Sequence, residues 1–277
     1  MHQEPIARSA RIICLINQKG GCGKSSTCFH LGGSLARQGY RVLLVDADPQ
    51  GSLSQAFFGS AAIEELATAE TLAAIFDEET LVESQGLVVS TPIENISIVR
   101  ANQSLARFNQ PEPEKVGLRQ YAVAELLDTL ADGYDFVLID CPPNLYLCSW
   151  SGLLAADKIL IPVPPEDFGT QGLRAVHAAI NNARLLNPRL DLLGHVVTRV
   201  DRRLSVHRHY EQTLRSIYAD QVLETTIPEA SAFKVSLACR QPVSHYSTKS
   251  KAALQTARLA EEIQVRMTST VANRKVA

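Results

Sequence analysis

A glycine-rich loop with two lysines carries the residue types in this chain that are best suited to chemistry. The loop runs from Asn17 to Thr27 with the sequence Asn-Gln-Lys-Gly-Gly-Cys-Gly-Lys-Ser-Ser-Thr. Its glycines let the backbone turn its N–H groups inward, and a helix that begins at the loop adds partial positive charge, so together they form an anion site. Lys24 would neutralise the β- and γ-phosphates of a nucleotide, and the Ser25 hydroxyl would ligate Mg²⁺. The stretch therefore predicts a phosphate-binding loop.

The flanking sequence places this loop between a strand and a helix. The apolar run 12–16 predicts a buried strand, and the spacing of apolar residues over 29–36 predicts a helix. A phosphate-binding loop is expected in this strand–loop–helix context. The loop departs from the general pattern Gly-x-x-x-x-Gly-Lys-[Ser/Thr] because Gln18 stands where the first glycine would be, and a second lysine, Lys19, opens the glycine run.

Three aspartates follow two further apolar runs. Asp46-Ala47-Asp48-Pro49 comes after the run 41–45, and Asp140-Cys141-Pro142-Pro143 comes after the run 136–139. Ligands of an open parallel sheet gather beyond the carboxyl ends of its strands, so these carboxylates are expected near the loop. Asp140 would hold Mg²⁺ through water. Considered without the loop, Asp46-Ala47-Asp48-Pro49 is also compatible with a structural Asp-rich turn. Asp140 is likewise compatible with a buried strand that merely ends in aspartate.

The loop and both aspartate motifs resemble those of ParA-type ATPases. Lys-Gly-Gly-x-Gly-Lys-[Ser/Thr] is the deviant Walker A box of this family, which includes chromosome and plasmid partition proteins and the MinD-like division-site proteins. Partition members commonly have Asn-Gln before the box, as this chain does at 17–18. The resemblance extends from Arg11 to about Val265. It implies an α/β P-loop NTPase fold with a single doubly wound, mostly parallel sheet flanked by helices.

The resemblance also implies roles for individual residues. Lys19 matches the signature lysine that reaches across a sandwich dimer to the partner's nucleotide, and it would be catalytic together with Lys24 and Asp46, which would position the attacking water. The implied cofactors are ATP and Mg²⁺, with the metal held by Ser25 and Asp140 and, in its outer sphere, by Asp48. The residues expected to bind the nucleotide are Gly20, Gly21, Cys22, Gly23, Lys24, Ser25, Ser26, Thr198, Arg199 and Pro228.

The segment 199–209 contains the densest group of basic residues in the chain. Taken alone, such a group is as compatible with a solvated surface as with a binding site. In partition ATPases a basic residue of the equivalent loop, which Arg203 matches most closely, contributes to a DNA-binding face formed by the dimer. Arg203, with Lys234 and Arg240, is therefore expected to contact DNA phosphates independently of base sequence.

Composition restricts the class of protein. The 277 residues are 45% hydrophobic and 20% charged, which is typical of a globular chain with a sizeable core. A net charge of −2 argues against a protein that coats nucleic acid with its whole surface, although a local basic patch is compatible with it. The six cysteines lack C-x-x-C spacing, which favours buried thiols in a reducing compartment. The expected location is the cytoplasm, in association with the nucleoid.

The remaining sequence predicts one catalytic domain with short ends. We expect a polar N-terminal arm at 1–10, the ATPase domain at 11–265 and a polar tail at 266–277. Strands alternate with helical patterns, which indicates a parallel sheet with crossover helices. The last helix is expected to fray at Thr268-Ser269-Thr270. Its basic residues lack a bulky apolar face beside them, which argues against a membrane anchor.

Three functions remain compatible with these motifs. The first is an ATPase that dimerises with ATP, binds double-stranded DNA non-specifically and segregates plasmid or chromosomal DNA with a ParB-like partner that stimulates its weak intrinsic hydrolysis. The second is a ParA-like ATPase that positions another cargo, such as an organelle, a chemotaxis cluster or a conjugation complex. The third is a MinD-like ATPase that cycles on a membrane, against which the C-terminal segment argues.

Overall fold

Short apolar runs form the strands of one sheet in the computed structural model, which describes residues 10–166 and 170–274. In chain order the strands are β1 (Arg11–Leu15), β2 (Val42–Asp46), β3 (Val88–Ser90), β4 (Ile96–Val99), β5 (Phe136–Asp140), β6 (Lys158–Val163), β7 (Asp191–Val200) and β8 (Val222–Pro228). Their spatial order is β3-β4-β2-β5-β1-β6-β7-β8, and each adjacent pair is parallel except β3 and β4. The predicted fold class, a doubly wound and mostly parallel sheet, is confirmed.

Helices connect the strands and cover both faces of the sheet. The α-helices are α1 (Lys24–Arg37), α2 (Ser52–Phe58), α3 (Ser60–Glu64), α4 (Ala122–Leu130), α5 (Leu147–Ala155), α6 (Thr170–Leu186), α7 (Ser205–Tyr218), α8 (Ser231–Ala238), α9 (Val243–Tyr246) and α10 (Lys251–Arg274). Short 3₁₀ helices span Thr68–Glu70, Leu72–Phe76, Ser84–Leu87, Gln103–Arg107, Pro113–Tyr121, Ala131–Gly133 and Ala219–Gln221.

The core consists of two apolar layers, one on each face of the sheet. Helices α1, α2 and α10 contribute to one layer, and α4, α5 and α6 contribute to the other. Side chains alternate between the layers along β1, where Ile13 and Leu15 pack towards α1 while Ile12 and Cys14 pack towards α5. Because the central strands are buried on both faces, their sequences are continuously apolar rather than alternating.

The C-terminal helix differs from the sequence prediction. The prediction that the helix frays at Thr268-Ser269-Thr270 is wrong, because α10 continues to Arg274. Met267 is buried in the α1 layer, and the Arg266 guanidinium donates to the carbonyl oxygens of Asp220 and Val222. These tertiary contacts stabilise a stretch whose intrinsic helix propensity is low. The expected boundary after Val265 therefore falls inside a helix.

Some of the expected ends lie outside the described ranges. This applies to residues 1–9 of the N-terminal arm and to residues 275–277 of the tail. Within residues 10–166 and 170–274, no helix combines the length and the apolarity that a bilayer crossing requires. Five of the six cysteines are buried, as their apolar surroundings predicted, whereas Cys239 is exposed.

Candidate nucleotide site

The glycine-rich loop connects β1 to α1 at the carboxyl edge of the sheet. Gly21 has a φ of 70° and Gly23 a φ of 92°, both in the left-handed region that residues with a side chain rarely adopt. Gly23 directly precedes the first residue of α1, so the loop turns into the helix N-terminus over these two glycines. The geometry explains why glycine is needed at both positions. It also supplies the backbone N–H groups and the helix end that an anion requires.

Lys24 lies inside the curve of this loop. The residue is 6% exposed, and its ammonium group donates to the carbonyl oxygens of Asn17 at 3.1 Å and Lys19 at 3.4 Å. The positively charged ammonium group thus donates only to neutral backbone carbonyls in these two bonds. A phosphate oxygen is a stronger acceptor because it is charged. The ammonium group is therefore positioned to exchange loop carbonyls for phosphate oxygens.

Residues after β7 form the opposite wall of the site. Thr198 donates through Oγ1 to the Cys22 carbonyl oxygen at 2.8 Å, and Arg199 donates through Nη1 to the Gly21 carbonyl oxygen at 3.1 Å. Arg199 has a φ of 56°, which is unusual for a residue with a side chain. The loop is thus held from the side by two residues that lie far from it in sequence.

A cavity of about 460 Å³ lies between the loop, the end of β7 and helix α8. This volume is in the usual range for a small-molecule site. Every residue that the sequence analysis assigned to nucleotide binding lines it, including Thr198, Arg199 and Pro228. Phe233 and Leu237 of α8 supply an apolar wall that the sequence analysis missed. In sequence, the apolar residues of a short helix are equally well explained by core packing.

Asp46 and Asp140 lie side by side at the ends of β2 and β5, beneath the loop. Both are fully buried, and they are paired in the strand register. Asp46 accepts hydrogen bonds from the Ser54 backbone N–H at 2.8 Å and from the Ser54 hydroxyl at 2.7 Å. Burial raises the pKa of Asp46 to about 7 although the bonds from Ser54 lower it. Asp48 lines the cavity itself, and its carboxylate accepts from the Gln50 backbone N–H.

Asp140 is a buried carboxylate without a hydrogen bond. Neither of its oxygens has a partner among residues 10–166 and 170–274. Burial raises the pKa of Asp140 well above its usual value, and the neighbouring Asp46 charge raises it further. The Ser25 hydroxyl and the Lys24 ammonium group are near enough to lower it. A buried unpaired carboxylate is costly unless it is protonated or meets a cation.

The residues around Asp140 fit Mg²⁺ with a bound triphosphate. Mg²⁺ prefers oxygen ligands and in nucleotide sites takes one or two from the protein and the others from phosphate and water. Ser25 and Asp140 provide such oxygens at the start of α1 and the end of β5. Within the described ranges, no three His, Cys, Asp or Glu side chains are grouped to hold a metal by themselves. Two protein oxygens beside the loop match the share of ligands that a magnesium–nucleotide site takes from its protein.

Lys19 pairs with an acidic side chain and does not line the cavity beside its own loop. Its ammonium group donates to Glu166 Oε2 at 2.6 Å, and both side chains are about half exposed. Lys19 does not belong to the residues that line the cavity, whereas Lys24 does. The two lysines of the loop thus occupy different environments.

The three residues expected to contact DNA each have their own partner in the protomer. Arg203 forms a bidentate pair with Asp201, with distances of 2.9 Å and 2.7 Å. Lys234 donates to Glu229 on the wall of the nucleotide cavity. The Arg240 guanidinium packs against Gly59. A Cβ atom added to Gly59 would lie only 2.3 Å from this guanidinium. Their assignment as DNA contacts remains a prediction.

Arg203 lies in a second cavity with two further basic residues. This cavity of about 260 Å³ is lined by Arg203, Arg202 and Lys251, the first residue of α10. It shares the wall 228–230 with the nucleotide cavity. The sequence analysis missed Lys251, because the sequence around a single lysine at the start of a helix does not indicate which distant residues it will lie near.

The sheet order, the loop and the adjoining cavity define a P-loop nucleotide hydrolase. A family model described as an AAA domain matches residues 10–192. The chain is 32% identical over 260 residues to the chromosome partitioning protein ParA of Caulobacter vibrioides, covering 93% of this chain and 95% of that protein. It is 30% identical over 257 residues to the sporulation initiation inhibitor protein Soj of Bacillus subtilis, covering 91% and 98%.

A solved structure agrees with this assignment. It is described as cobyrinic acid a,c-diamide synthase from Mycobacterium smegmatis with bound ADP and magnesium, and it has a TM-score of 0.78 at 28% identity over 94% of this chain and 96% of that one. It shares the fold of this chain, and its description names ADP and magnesium, the kind of ligands that the cavity beside the loop can accommodate. The chain therefore belongs to the ParA-type family of P-loop ATPases.

Proposed function

We propose that this ATPase binds Mg·ATP in the cavity beside the loop, dimerises across the nucleotide and binds DNA non-specifically. With a ParB-like partner it then positions or segregates plasmid or chromosomal DNA. The observation that carries the proposal is the cavity that joins the loop to Thr198, Arg199 and Pro228, together with the buried, unpaired carboxylate of Asp140. The names of the relatives from Caulobacter and Bacillus support partition as the process.

Three side chains are suited to hold the triphosphate. The Lys24 ammonium group lies in the loop where β- and γ-phosphate oxygens would approach, and Ser25 and Asp140 provide the metal ligands. Ser25 and Asp140 would hold Mg²⁺, which would supply positive charge to offset the negative charge of the triphosphate. Asp46 lies beside Asp140, where its carboxylate can orient a water molecule towards the γ-phosphate.

Dimerisation would give Lys19 a new partner. In the protomer its ammonium group is paired with Glu166. An exposed ion pair of this kind contributes only about 0–1 kcal/mol, so the lysine can exchange it for a phosphate at little cost. A phosphate of a second protomer's nucleotide, held in a drier interface, is a stronger partner. The loop itself carries no arginine finger, so slow intrinsic hydrolysis and stimulation by a partner are expected.

DNA binding would use phosphate contacts that are duplicated by the dimer. Arg203, Arg202 and Lys251 line a concave surface beside the nucleotide cavity. The carboxylates of Asp201 and Glu229 line it as well, so the surplus of positive charge on one protomer is small. Two weak sites on one rigid dimer bind far better than either alone. This predicts sequence-independent binding that depends on ATP.

Asp46→Ala is expected to slow ATP hydrolysis about 100-fold or more, because it removes the group that orients water. ATP-dependent dimerisation should persist, since Lys24, Ser25 and Asp140 remain. Single-turnover hydrolysis and size-exclusion chromatography with ATP measure the two effects. Ser54→Ala is the matched control, because it removes a hydrogen bond to Asp46 but keeps the carboxylate. A wild-type rate in Asp46→Ala would refute the role.

Titration of a random-sequence DNA duplex with and without ATP tests the proposed function. We expect measurable binding with ATP, little binding without it, and an affinity that falls steeply with salt. Equal affinity in both nucleotide states would contradict coupling through the dimer. Absence of binding at low salt would instead favour a cargo other than DNA, and co-sedimentation with anionic liposomes would then test the membrane alternative.

A further inference from the structure

One side of α1 holds the short segment 242–244, which follows α8 in the chain. The Nδ1 atom of His30 accepts a hydrogen bond from the Val243 backbone N–H at 3.0 Å. About two turns further along the helix, the Arg37 guanidinium donates to the Ser244 carbonyl oxygen at 2.6 Å. Residues seven positions apart lie on the same side of an α-helix. The helix that begins at the phosphate loop therefore binds this segment through two of its side chains.

Val243 packs in turn with a residue of the nucleotide cavity. It forms a small apolar cluster with Ala252 and Ala253 of α10, and Phe233 of α8 packs against this cluster. Phe233 also contacts His30 directly, with ring centroids 4.7 Å apart. The same phenylalanine belongs to the apolar wall of the nucleotide cavity. His30 is thus linked to this wall both through its own ring and through Val243.

His30 lies behind the wall and does not itself line the nucleotide cavity. It lines an adjoining cavity of about 10 Å³. Four residues line both cavities, namely Ser26, Thr27, Ile227 and Phe233. Any effect of His30 on a bound nucleotide is therefore indirect and passes through the side chains of the wall.

The His30 imidazole is buried and neutral. It is 2% exposed, and burial lowers the pKa of His30 to about 3. Because Nδ1 accepts from Val243, the single proton of the neutral ring lies on Nε2. Nε2 is buried and has no partner within residues 10–166 and 170–274. An apolar ring would fill this space at lower cost. The bond from Val243 is therefore the contact that requires a nitrogen at this position.

We infer that His30 is a positioning residue for nucleotide binding, because its bond with the Val243 N–H fixes the segment against which Phe233 packs. This inference rests on the proposed nucleotide site. Phosphates bound at the loop would leave the ribose and the base to contact the rest of the cavity, whose lining includes the wall around Phe233. Helix α1 begins at Lys24 and binds Val243 through His30. One helix therefore sets the separation between the phosphate loop and the wall.

Two substitutions of His30 in the full-length protein separate the hydrogen bond from the bulk of the ring. His30→Asn removes the ring but keeps an acceptor in the same place, because asparagine Oδ1 and histidine Nδ1 are both bonded to Cγ. His30→Phe keeps a ring and removes the acceptor. We expect His30→Phe to raise the Kd for Mg·ATP and for Mg·ADP at least about fivefold, since it leaves the Val243 N–H unpaired. His30→Asn should stay within about threefold of the wild type.

The loss in His30→Phe should fall on binding of the ribose and base and not on the phosphates or the chemical step. Isothermal titration calorimetry with magnesium tripolyphosphate, which lacks ribose and base, should give a Kd within about twofold of the wild type. In steady-state hydrolysis the KM for ATP should rise while kcat stays within about twofold. If tripolyphosphate affinity or kcat fell as much as ATP affinity, the phosphate loop itself would be disturbed and the positioning role would be wrong.

Arg37→Ala tests the same segment from the surface and keeps the inference testable if His30→Phe does not fold. Arg37 is exposed, and its loss should raise the Kd for Mg·ATP at least about twofold. Arg41→Ala is the matched control, because this exposed arginine pairs with Asp135 instead. Met267→Ala controls for lost packing in the α1 layer and should lower the Tm without changing ATP affinity. Equal effects of Arg37→Ala and Arg41→Ala, or a loss of ATP affinity in Met267→Ala that matches His30→Phe, would contradict the inference.

Failure of this inference and failure of the proposed function give different results. If the wild type bound Mg·ATP no better than Lys24→Ala, the proposed nucleotide site itself would be wrong. If the wild type binds Mg·ATP and His30→Phe binds it equally well while His30→Asn does not, the bulk of the ring matters and the bond to Val243 does not. That order of affinities would overturn the inference and leave the proposed function standing.

Discussion

Lys19→Ala is expected to reduce ATP hydrolysis about 100-fold or more while nucleotide affinity changes less than about threefold. The Lys19 ammonium group pairs with Glu166 outside the cavity, so it does not contribute to holding nucleotide in its own protomer. Removal of one cationic contact that is made in the transition state typically costs two to three orders of magnitude. The loss should therefore fall on the chemical step and not on binding.

Steady-state hydrolysis and the affinity for a fluorescent ATP analogue measure the two effects of Lys19→Ala. Lys24→Ala gives the contrasting result, because its ammonium group lies inside the loop and its loss should abolish binding as well. Lys115→Ala is the matched control, since Lys115 is an exposed lysine that pairs with a nearby glutamate. Unchanged turnover in Lys19→Ala would exclude a role for the lysine in trans.

The phosphate loop could be predicted from sequence because its geometry depends on local rules. Gly21 and Gly23 are needed for positive φ, and Lys24 follows directly at the first position of the helix. The aspartates could be placed because parallel strands bring their carboxyl ends to one edge, which puts Asp46 opposite Asp140 in the register. These inferences require only strand direction and chain continuity.

Contacts between distant segments could not be predicted in this way. Ser54 binds Asp46, and Lys251 lines a cavity with Arg203, but neither pair has a spacing or a motif that relates its members. The same limitation explains the error at Thr268. Low helix propensity indicated fraying, whereas packing of Met267 against the α1 layer continues the helix. Tertiary contacts override a local preference that amounts to a few tenths of a kcal/mol per residue.

Arg203→Glu is expected to weaken DNA binding about tenfold or more without affecting ATP-dependent dimerisation. Arg203 lines the second cavity with Arg202 and Lys251 and does not line the nucleotide cavity. Each phosphate contact that is lost should reduce the slope of log affinity against log salt by about one, and the dimer loses one contact from each protomer. Titrations of a random-sequence duplex at several salt concentrations, with ATP present, measure both quantities.

Asp201→Asn should have the opposite effect and serves as the matched control. In the protomer the Asp201 carboxylate holds the Arg203 guanidinium, which lowers the pKa of Asp201 to about 2. The pair is therefore neutral at physiological pH, and a DNA phosphate must compete with Asp201 for the guanidinium. Asparagine keeps an oxygen that can accept from the Arg203 backbone N–H but removes the competing charge. If Asp201→Asn bound DNA no more tightly than the wild type, or if Arg203→Glu left the salt dependence unchanged, Arg203 would not be a phosphate contact.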